Sequence, residues 1–494
     1  MIFTTGKKEI ILDVCILLSG LLTVNSGLFG GMNLGFALGV CFCILSSFCY
    51  LYSRSRKAGA YPIAMLVLSL ILGASFVRSD DLAVEGMILL LLPVTVNLAL
   101  CLLAKQNQHN PATVLSLLDS VRTLFEQGIG KAGDAVRSLL EAFRSSGSFG
   151  KKGISVLLGL CIALPLLLIL VPLLMFADAA FEGLMDSLPK FDIAQIFITL
   201  LFGISLSWLL YSRSVALRHC QTAEPRTAPQ LFTGLASLTV NTVLITVCAV
   251  YLVYLFSQLA YFSGGFAGIL PEGFTHAEYA RRGFFEMAWL CALNLSIIIG
   301  ALWLCRDKDP APRLTRWLCL FVGAVTLFLV ATASAKMLMY IDSYGLSRLR
   351  VLTQVIMIFL GLVTVYVCLW LFIRKLPYMK CVMLTALALT AVVSWADVDT
   401  VVARYNTESY LSGKLAVIDV DYLGKLGDGA VPYLAKLAQC SDETVRAAAF
   451  EQLLERAEDS QDPDLRSWNY ADAVAQRYLE FTFVEPDIRG EAAE

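Results

Sequence analysis

The run Leu82-Ala-Val-Glu-Gly-Met-Ile-Leu-Leu-Leu-Leu-Pro-Val-Thr-Val-Asn-Leu-Ala-Leu-Cys-Leu-Leu-Ala104 decides the fold of this chain. An α-helix rises about 1.5 Å per residue, so a stretch of this length crosses a hydrocarbon core of about 30 Å. Its polarity does not alternate, and lipid accepts only helices and closed barrels, so a strand reading fails. Ten more blocks of the same character give approximate spans at 9–29, 33–52, 61–77, 153–176, 192–211, 233–262, 282–304, 314–339, 350–374 and 379–396. Composition agrees. The 494 residues are 57% hydrophobic and 16% charged, with mean hydropathy +0.71, whereas a soluble domain carries about 25% charged residues. The expected fold is all-α: a polytopic transmembrane helix bundle of 11 spans with a small, mainly helical extracytoplasmic C-terminal domain.

The first block follows Lys7 and Lys8 and closes on Asn25, Ser26 and Gly27. That layout also fits a cleavable signal peptide, and an uncleaved first helix is the preferred reading. With the N-terminus cytoplasmic, Lys and Arg number 22 on the inner segments and 7 on the outer ones, as the positive-inside rule requires. An odd number of spans then places the C-terminal tail outside.

Five of the seven outer charges are Arg281, Arg282, Lys336, Arg348 and Arg350, gathered at the ends of spans eight, nine and ten. Long basic side chains snorkelling to headgroups account for them as well as a binding site does. The sharper reading is a basic external pocket. It draws on the charged run Leu270-Pro-Glu-Gly-Phe-Thr-His-Ala-Glu-Tyr-Ala-Arg-Arg-Gly-Phe-Phe-Glu286, where ionisable groups meet a membrane boundary. A helix capped by Thr275 puts Glu278, Arg282 and Glu286 on one face. Glu286 at the hydrocarbon edge needs Arg282, Lys336 or a proton, because an unpaired charge at full depth costs about 2.5–3.5 kcal/mol. Pairing of Arg282 and Lys336 with Glu286 or Asp342 is therefore expected, and Gln258 and Tyr261 approach the same surface. The candidate ligand-binding set is Glu278, Arg281, Arg282, Glu286, Lys336, Asp342, Arg348, Arg350, Gln258 and Tyr261.

Five stretches carry a resemblance: Tyr254-Leu-Phe-Ser-Gln-Leu-Ala-Tyr261; the Leu270 to Glu286 run; Lys336-Met-Leu-Met-Tyr-Ile-Asp-Ser-Tyr-Gly-Leu-Ser-Arg-Leu-Arg350; Val402-Ala-Arg-Tyr-Asn406; and Asp419-Val-Asp-Tyr-Leu423. Over residues 233–435 the chain resembles the bacterial multi-pass membrane family known as domain of unknown function 4173, which is close to family 4153. The resemblance implies a bacterial cytoplasmic (inner) membrane protein of unassigned activity, with no catalytic residue to carry over.

The remaining segments divide the chain further. Residues 1–104 form an N-terminal four-span region, and 153–396 form a seven-span core carrying the family motifs. In the cytoplasmic segment 105–152, Val114, Leu117, Leu118, Val121, Leu124 and Phe125, then Val136, Leu139, Leu140 and Phe143, recur at helical spacing. Two short amphipathic helices follow from this, suited to the membrane interface, to packing under the bundle or to a partner. The tail 397–494 holds 20 acidic against 9 basic residues, a charge of 9 − 20 = −11, so it is water-exposed. Its stretches 430–438 and 442–454 resemble one HEAT-type helical pair, and one pair does not make a solenoid.

Asn97, Asn241, Gln258, Asn294 and Gln354 are expected to join helices by hydrogen bonds. Pro165 and Pro172 are placed to kink the fifth span. Of fourteen cysteines only Cys440 lies in the tail, so no disulfide forms within it. His109, His219 and His276 fall in separate segments, and neither a zinc motif, a nucleophile elbow nor a P-loop is present. No cofactor, metal or nucleic acid is implied. The expected partners are the lipid bilayer and, on the outer face, an envelope protein or an anionic small molecule. Three function classes remain, in order: a non-enzymatic envelope sensor or scaffold, a transporter or lipid-handling protein, and an intramembrane enzyme without a recognisable motif.

Overall fold

The computed structural model describes residues 7–53, 59–78, 81–110, 113, 115–130, 193–219, 236–265, 284–305, 312–459 and 467–483, with isolated positions between 133 and 176. The predicted span at 153–176, with Pro165 and Pro172, falls almost wholly outside these residues. So do the second amphipathic stretch and the run from Leu270 to Gly283. Among the described residues there is no strand, and ten helices are long and apolar enough to cross a membrane. They are α1 (Lys7–Phe29), α2 (Leu34–Tyr52), α3 (Ala60–Ala74, extended by one 3-10 turn), α4 (Leu82–Leu103), α6 (Ile193–His219), α7 (Ser237–Gly265), α8 (Phe284–Leu304), α9 (Arg313–Tyr344), α10 (Arg348–Phe372) and α11 (Tyr378–Ala396). A shorter helix, α5 (Leu115–Gly128), follows α4, and α12 (Val398–Leu411), α13 (Val420–Gly424), α14 (Val431–Leu437), α15 (Glu443–Asp459) and α16 (Tyr470–Phe483) build the tail. The chain is an all-α polytopic membrane protein.

Two compact units divide the chain. The first is Met1–Arg226 with Ser460–Gln476, the second Thr227–Asp459 with Arg477–Glu494.

In the first unit α1 packs against α2 and α6. Small residues let the backbones approach: a Cβ on Gly20 would collide with Ser207 Oγ, and one on Gly203 would stand 2.8 Å from Leu21. Asp81 caps α4, accepting from Ala83 N at 3.0 Å. The amphipathic helix α5 docks by its polar side. Ser116, Asp119 and Ser120 are buried, while Leu118, Val121 and Phe125 are exposed. Asn97 of α4 donates to the Ser120 carbonyl and, at 2.7 Å, to its Oγ. The apolar stripe of α5 thus faces outward, the arrangement that suits a helix lying in a membrane interface. From the tail, Trp468 O accepts from Leu34 N at 3.1 Å, and Arg78 lies 4.3 Å above the Tyr470 ring.

The second unit has an apolar core in two adjoining clusters. One joins Leu244, Ile298, Val322 and Leu371, the other Cys291, Leu329, Met337 and Met357, all on α7 to α10. Asparagines bridge the helices as expected of such residues in a bundle. Tyr251 donates to Asn294 Oδ1 at 2.5 Å, Asn294 donates to Thr326 Oγ1 at 3.0 Å, and Thr315 donates to Asn241 Oδ1 at 2.7 Å. Gln354 differs: its Oε1 is buried without a hydrogen-bond partner. After α11 the backbone turns at Asp397, whose φ is +56°, and Thr400 Oγ1 donates to its carboxylate at 2.6 Å.

Asp442 caps α15, accepting from Thr444 N at 3.0 Å, Thr444 Oγ1 at 2.7 Å and Val445 N at 3.3 Å, and its second oxygen accepts from Tyr410 at 3.0 Å. The Thr444 hydroxyl, then Tyr410 and the backbone donors, hold this carboxyl below the usual aspartate range. A depressed folded-state value stabilises the fold above the ordinary aspartate range and ceases to do so as pH falls through the folded value. Asp442→Asn is accordingly expected to lower the thermal midpoint at neutral pH, with the gap to wild type closing below about pH 4. A gap of constant size from neutral to strongly acid solution would contradict the assignment.

Candidate functional site

The described part of the predicted outer cluster lies where α9 turns into α10 and the tail helices meet that turn. Lys336 and Asp342 close α9, and Arg348 and Arg350 open α10. Gly345 ends α9 with φ +76° and ψ −177°, a conformation reserved in practice for glycine. Ser347 caps α10. The tail grips this turn from the other side. Asn406 of α12 accepts from Leu346 N at 2.6 Å and donates to Leu346 O at 2.8 Å, so one amide brackets one residue. Tyr422 accepts from Arg348 N at 3.0 Å through its hydroxyl.

Arg348 makes the strongest contact of the joint. Its Nε and Nη2 donate in parallel to the two oxygens of Asp399, the bidentate geometry that suits guanidinium and carboxylate. Asp399 is 2% exposed, and its Oδ2 also accepts from Gly427 N at 2.6 Å. Arg350 points elsewhere. Its Nη1 donates to Tyr344 O at 3.0 Å and to Gly345 O, closing the helix end, while its guanidinium lies 4.1 Å above the Tyr340 ring.

Asp342 accepts from Lys414 at 2.7 Å and from Tyr405 at 3.3 Å, while Arg282 and the Glu286 side chain, which complete the expected pairing, lie outside the described residues. Lys414 also reaches Tyr405 Oη at 3.2 Å. The tail, folded back on the turn, brings Asp342 a lysine 72 positions away in the chain. These partners, Asp342 first, raise the Lys414 ammonium above the usual lysine range.

Between the turn and the tail lies a cavity of about 200 Å³. Leu346, Leu415 and Ile418 give it apolar walls, and Arg350, Asp419 and Tyr422 bring polar groups to it. The volume suits a small polar molecule rather than an acyl chain. Two of the ten predicted site residues, Arg348 and Arg350, thus belong to this joint, with Asp342 beside it. Lys336 is half-buried on α9. Glu278, Arg281 and Arg282 lie outside the described residues, as do the side chains of Gln258, Tyr261 and Glu286 within their helices. Asp399, Asn406, Lys414 and Tyr422 were missed as site residues. The signal for two of them was available, since Asn406 and Tyr422 sit in the short motifs of the tail.

Among the described residues no group of three or more His, Cys, Asp or Glu is placed to hold a metal ion. Two histidines find carboxylates instead: His109 Nδ1 is 3.0 Å from Asp119, and His219 Nε2 is 3.5 Å from Glu9.

Fold and site together define a multi-pass helical membrane protein whose C-terminal helices are locked onto the end of its α9–α10 hairpin. The chain belongs to the family described as Domain of unknown function (DUF4153), whose model matches residues 60–437. That match contains the whole joint, from Lys336 through Gly427. No curated protein and no solved structure matches the chain.

Proposed function

We propose that this protein is a non-enzymatic envelope sensor or scaffold in a bacterial cytoplasmic membrane, with its tail on the extracytoplasmic side. The observation that carries the reading is the cavity at the joint, because a small ligand there touches both the α9–α10 turn and the tail. Occupancy then biases how tightly the tail is held, and the ligand's effect equals its differential affinity for the two states. The charge distribution, 22 inner against 7 outer basic residues, supports the orientation. The shared outer motifs support a relation to domain of unknown function 4173 as well.

The ligand class is a small anion, with Arg350 as its charged contact. Thermal unfolding of the purified full chain in lipid nanodiscs is the test, with inorganic phosphate and short-chain carboxylates as probes. A probe should raise the wild-type midpoint and leave Arg350→Gln unmoved. If no probe shifts the wild type, the external anion site is wrong. Orientation is tested at Val417, which is 80% exposed beside the cavity, whereas Cys440 is buried. A Val417→Cys variant in intact cells should react with a membrane-impermeant maleimide, and protection until the cells are lysed would place the tail in the cytoplasm.

Transport is the second reading, favoured by carboxylates inside the first span.

A further inference from the structure

Helix α1 has two unlike faces. Ile10, Ile11, Val14 and Leu18 are exposed on one, as lipid-facing residues of a bundle are, while Leu12 and Ile16 are buried on the other. Glu9 and Asp13 fall with Leu12 and Ile16, at the spacing that puts residues on one helical face. Both carboxylates of this span therefore point into the first unit rather than to lipid. Ionisable groups so placed within a membrane segment are rare and costly, and each is a functional-site hypothesis by default.

The groups around them come from both helices that pack on α1. From α2, Tyr50 donates to Glu9 Oε1 at 3.0 Å. From α6, His219 Nε2 stands 3.5 Å from the same oxygen. Arg218 is held to α2, donating to Tyr50 O at 2.9 Å and lying 4.4 Å above the Tyr50 ring. Tyr211, two turns before His219 on α6, lies within electrostatic range of Asp13 and Glu9. It is 1% exposed, and its hydroxyl has no hydrogen-bond partner. Arg213 points away from α1 and donates to Asn97 O at 3.3 Å, beside the Cys43 and Cys101 thiols.

A buried hydroxyl without a hydrogen-bond partner, in the same polar pocket as two inward carboxyls, leaves that pocket with hydrogen-bonding capacity unused. We propose that Glu9 and Asp13, with Tyr50, Tyr211 and His219, form an intramembrane proton-binding site. Uptake forms one O–H bond on a carboxylate oxygen and removes one negative charge from the bundle, and release reverses both. Tyr50 and His219 hold Glu9 at the entrance, and Asp13 with Tyr211 forms the deeper position one turn along α1. Three of the five residues precede residue 60, ahead of the family match, and Tyr211 and His219 fall within it.

The test is pH-difference infrared spectroscopy on the full chain in lipid nanodiscs, which reads the carbonyl stretch of protonated carboxyl groups in apolar surroundings. Wild type should show such a band appearing as pH is lowered. Glu9→Gln and Asp13→Asn should each remove one component, and the double variant both. Should either variant fail to fold, Tyr50→Phe keeps the shape of the site and removes only the donor to Glu9. Its Glu9 component should move to higher frequency, as a carbonyl does on losing a hydrogen bond. No protonated-carboxyl band in wild type, a band undiminished in both carboxyl variants, or a Glu9 component unmoved in Tyr50→Phe would each overturn the proposal.

Discussion

Replacing Arg348 by glutamine is expected to release the C-terminal helices from the α9–α10 turn and to cost about 3–5 kcal/mol, the loss typical of breaking a buried ion pair from one side. The partner left behind explains the size. Asp399 is 2% exposed and would retain only the Gly427 N–H for its charge, and a desolvated carboxylate without its counter-ion is among the costliest groups in a folded chain. The reverse replacement should be milder. Arg348 keeps 35% of its side chain in contact with solvent, so in Asp399→Asn the orphaned guanidinium can hydrate, and the amide oxygen still accepts one donor. The expected order is therefore Arg348→Gln well above Asp399→Asn, with the double replacement costing less than the sum. Thermal unfolding and the rate of proteolysis within residues 397–459 measure it. Equal losses in the two single variants, or a tail no more susceptible to protease, would show that the pair does not hold the joint.

Gly345→Ala should follow closely in size, at about 2–4 kcal/mol, from two separate causes. The first is the backbone: φ +76° with ψ −177° lies in the region that only glycine occupies without strain. The second is space. A Cβ at this position would stand 2.6 Å from Asn406 Oδ1, and Asn406 cannot retreat without giving up both hydrogen bonds to Leu346. Gly413 supplies an internal control, because it shares φ +76° but a Cβ added there would meet nothing within 4 Å. Gly413→Ala should thus show backbone strain alone and lose clearly less. In Gly345→Ala the anion response of the cavity should fall together with stability, since Gly345 and Asn406 both line it. If the two alanine variants melt together, the contact with Asn406 carries no weight.

These two variants bear on how ligand and tail are connected. Arg350→Gln removes a charged group from the cavity while leaving the Arg348–Asp399 pair in place, so it separates binding from docking. A chain that keeps its tail docked and loses its anion response is what the sensor reading requires of that variant.

Much of the membrane architecture was readable from particular runs of residues. The block from Leu82 to Ala104 is apolar for the full thickness of a bilayer, and lipid leaves the backbone no option but internal hydrogen bonding. The same holds for the nine other described spans. Arg348 and Arg350, with Asp342 beside them, were legible as candidates, but their partners were not. Asp342 meets Lys414 and Arg348 meets Asp399, because pairing depends on where the tail folds back and no local period encodes that. The carboxyls Glu9 and Asp13 fall inside the first predicted span, 9–29, and the direction they face depends on how α2 and α6 pack on that helix.

By itself, then, the sequence determined which of the described stretches are long and apolar enough to cross a bilayer as helices. That follows from transfer free energies and backbone hydrogen bonding, which act residue by residue. Tertiary structure alone decided which charges meet, that the polar side of α5 is the buried one, and that Arg350, Asn406 and Tyr422 enclose one cavity. Such contacts join residues tens of positions apart, and electrostatic and steric complementarity across that separation exists only once the helices have packed.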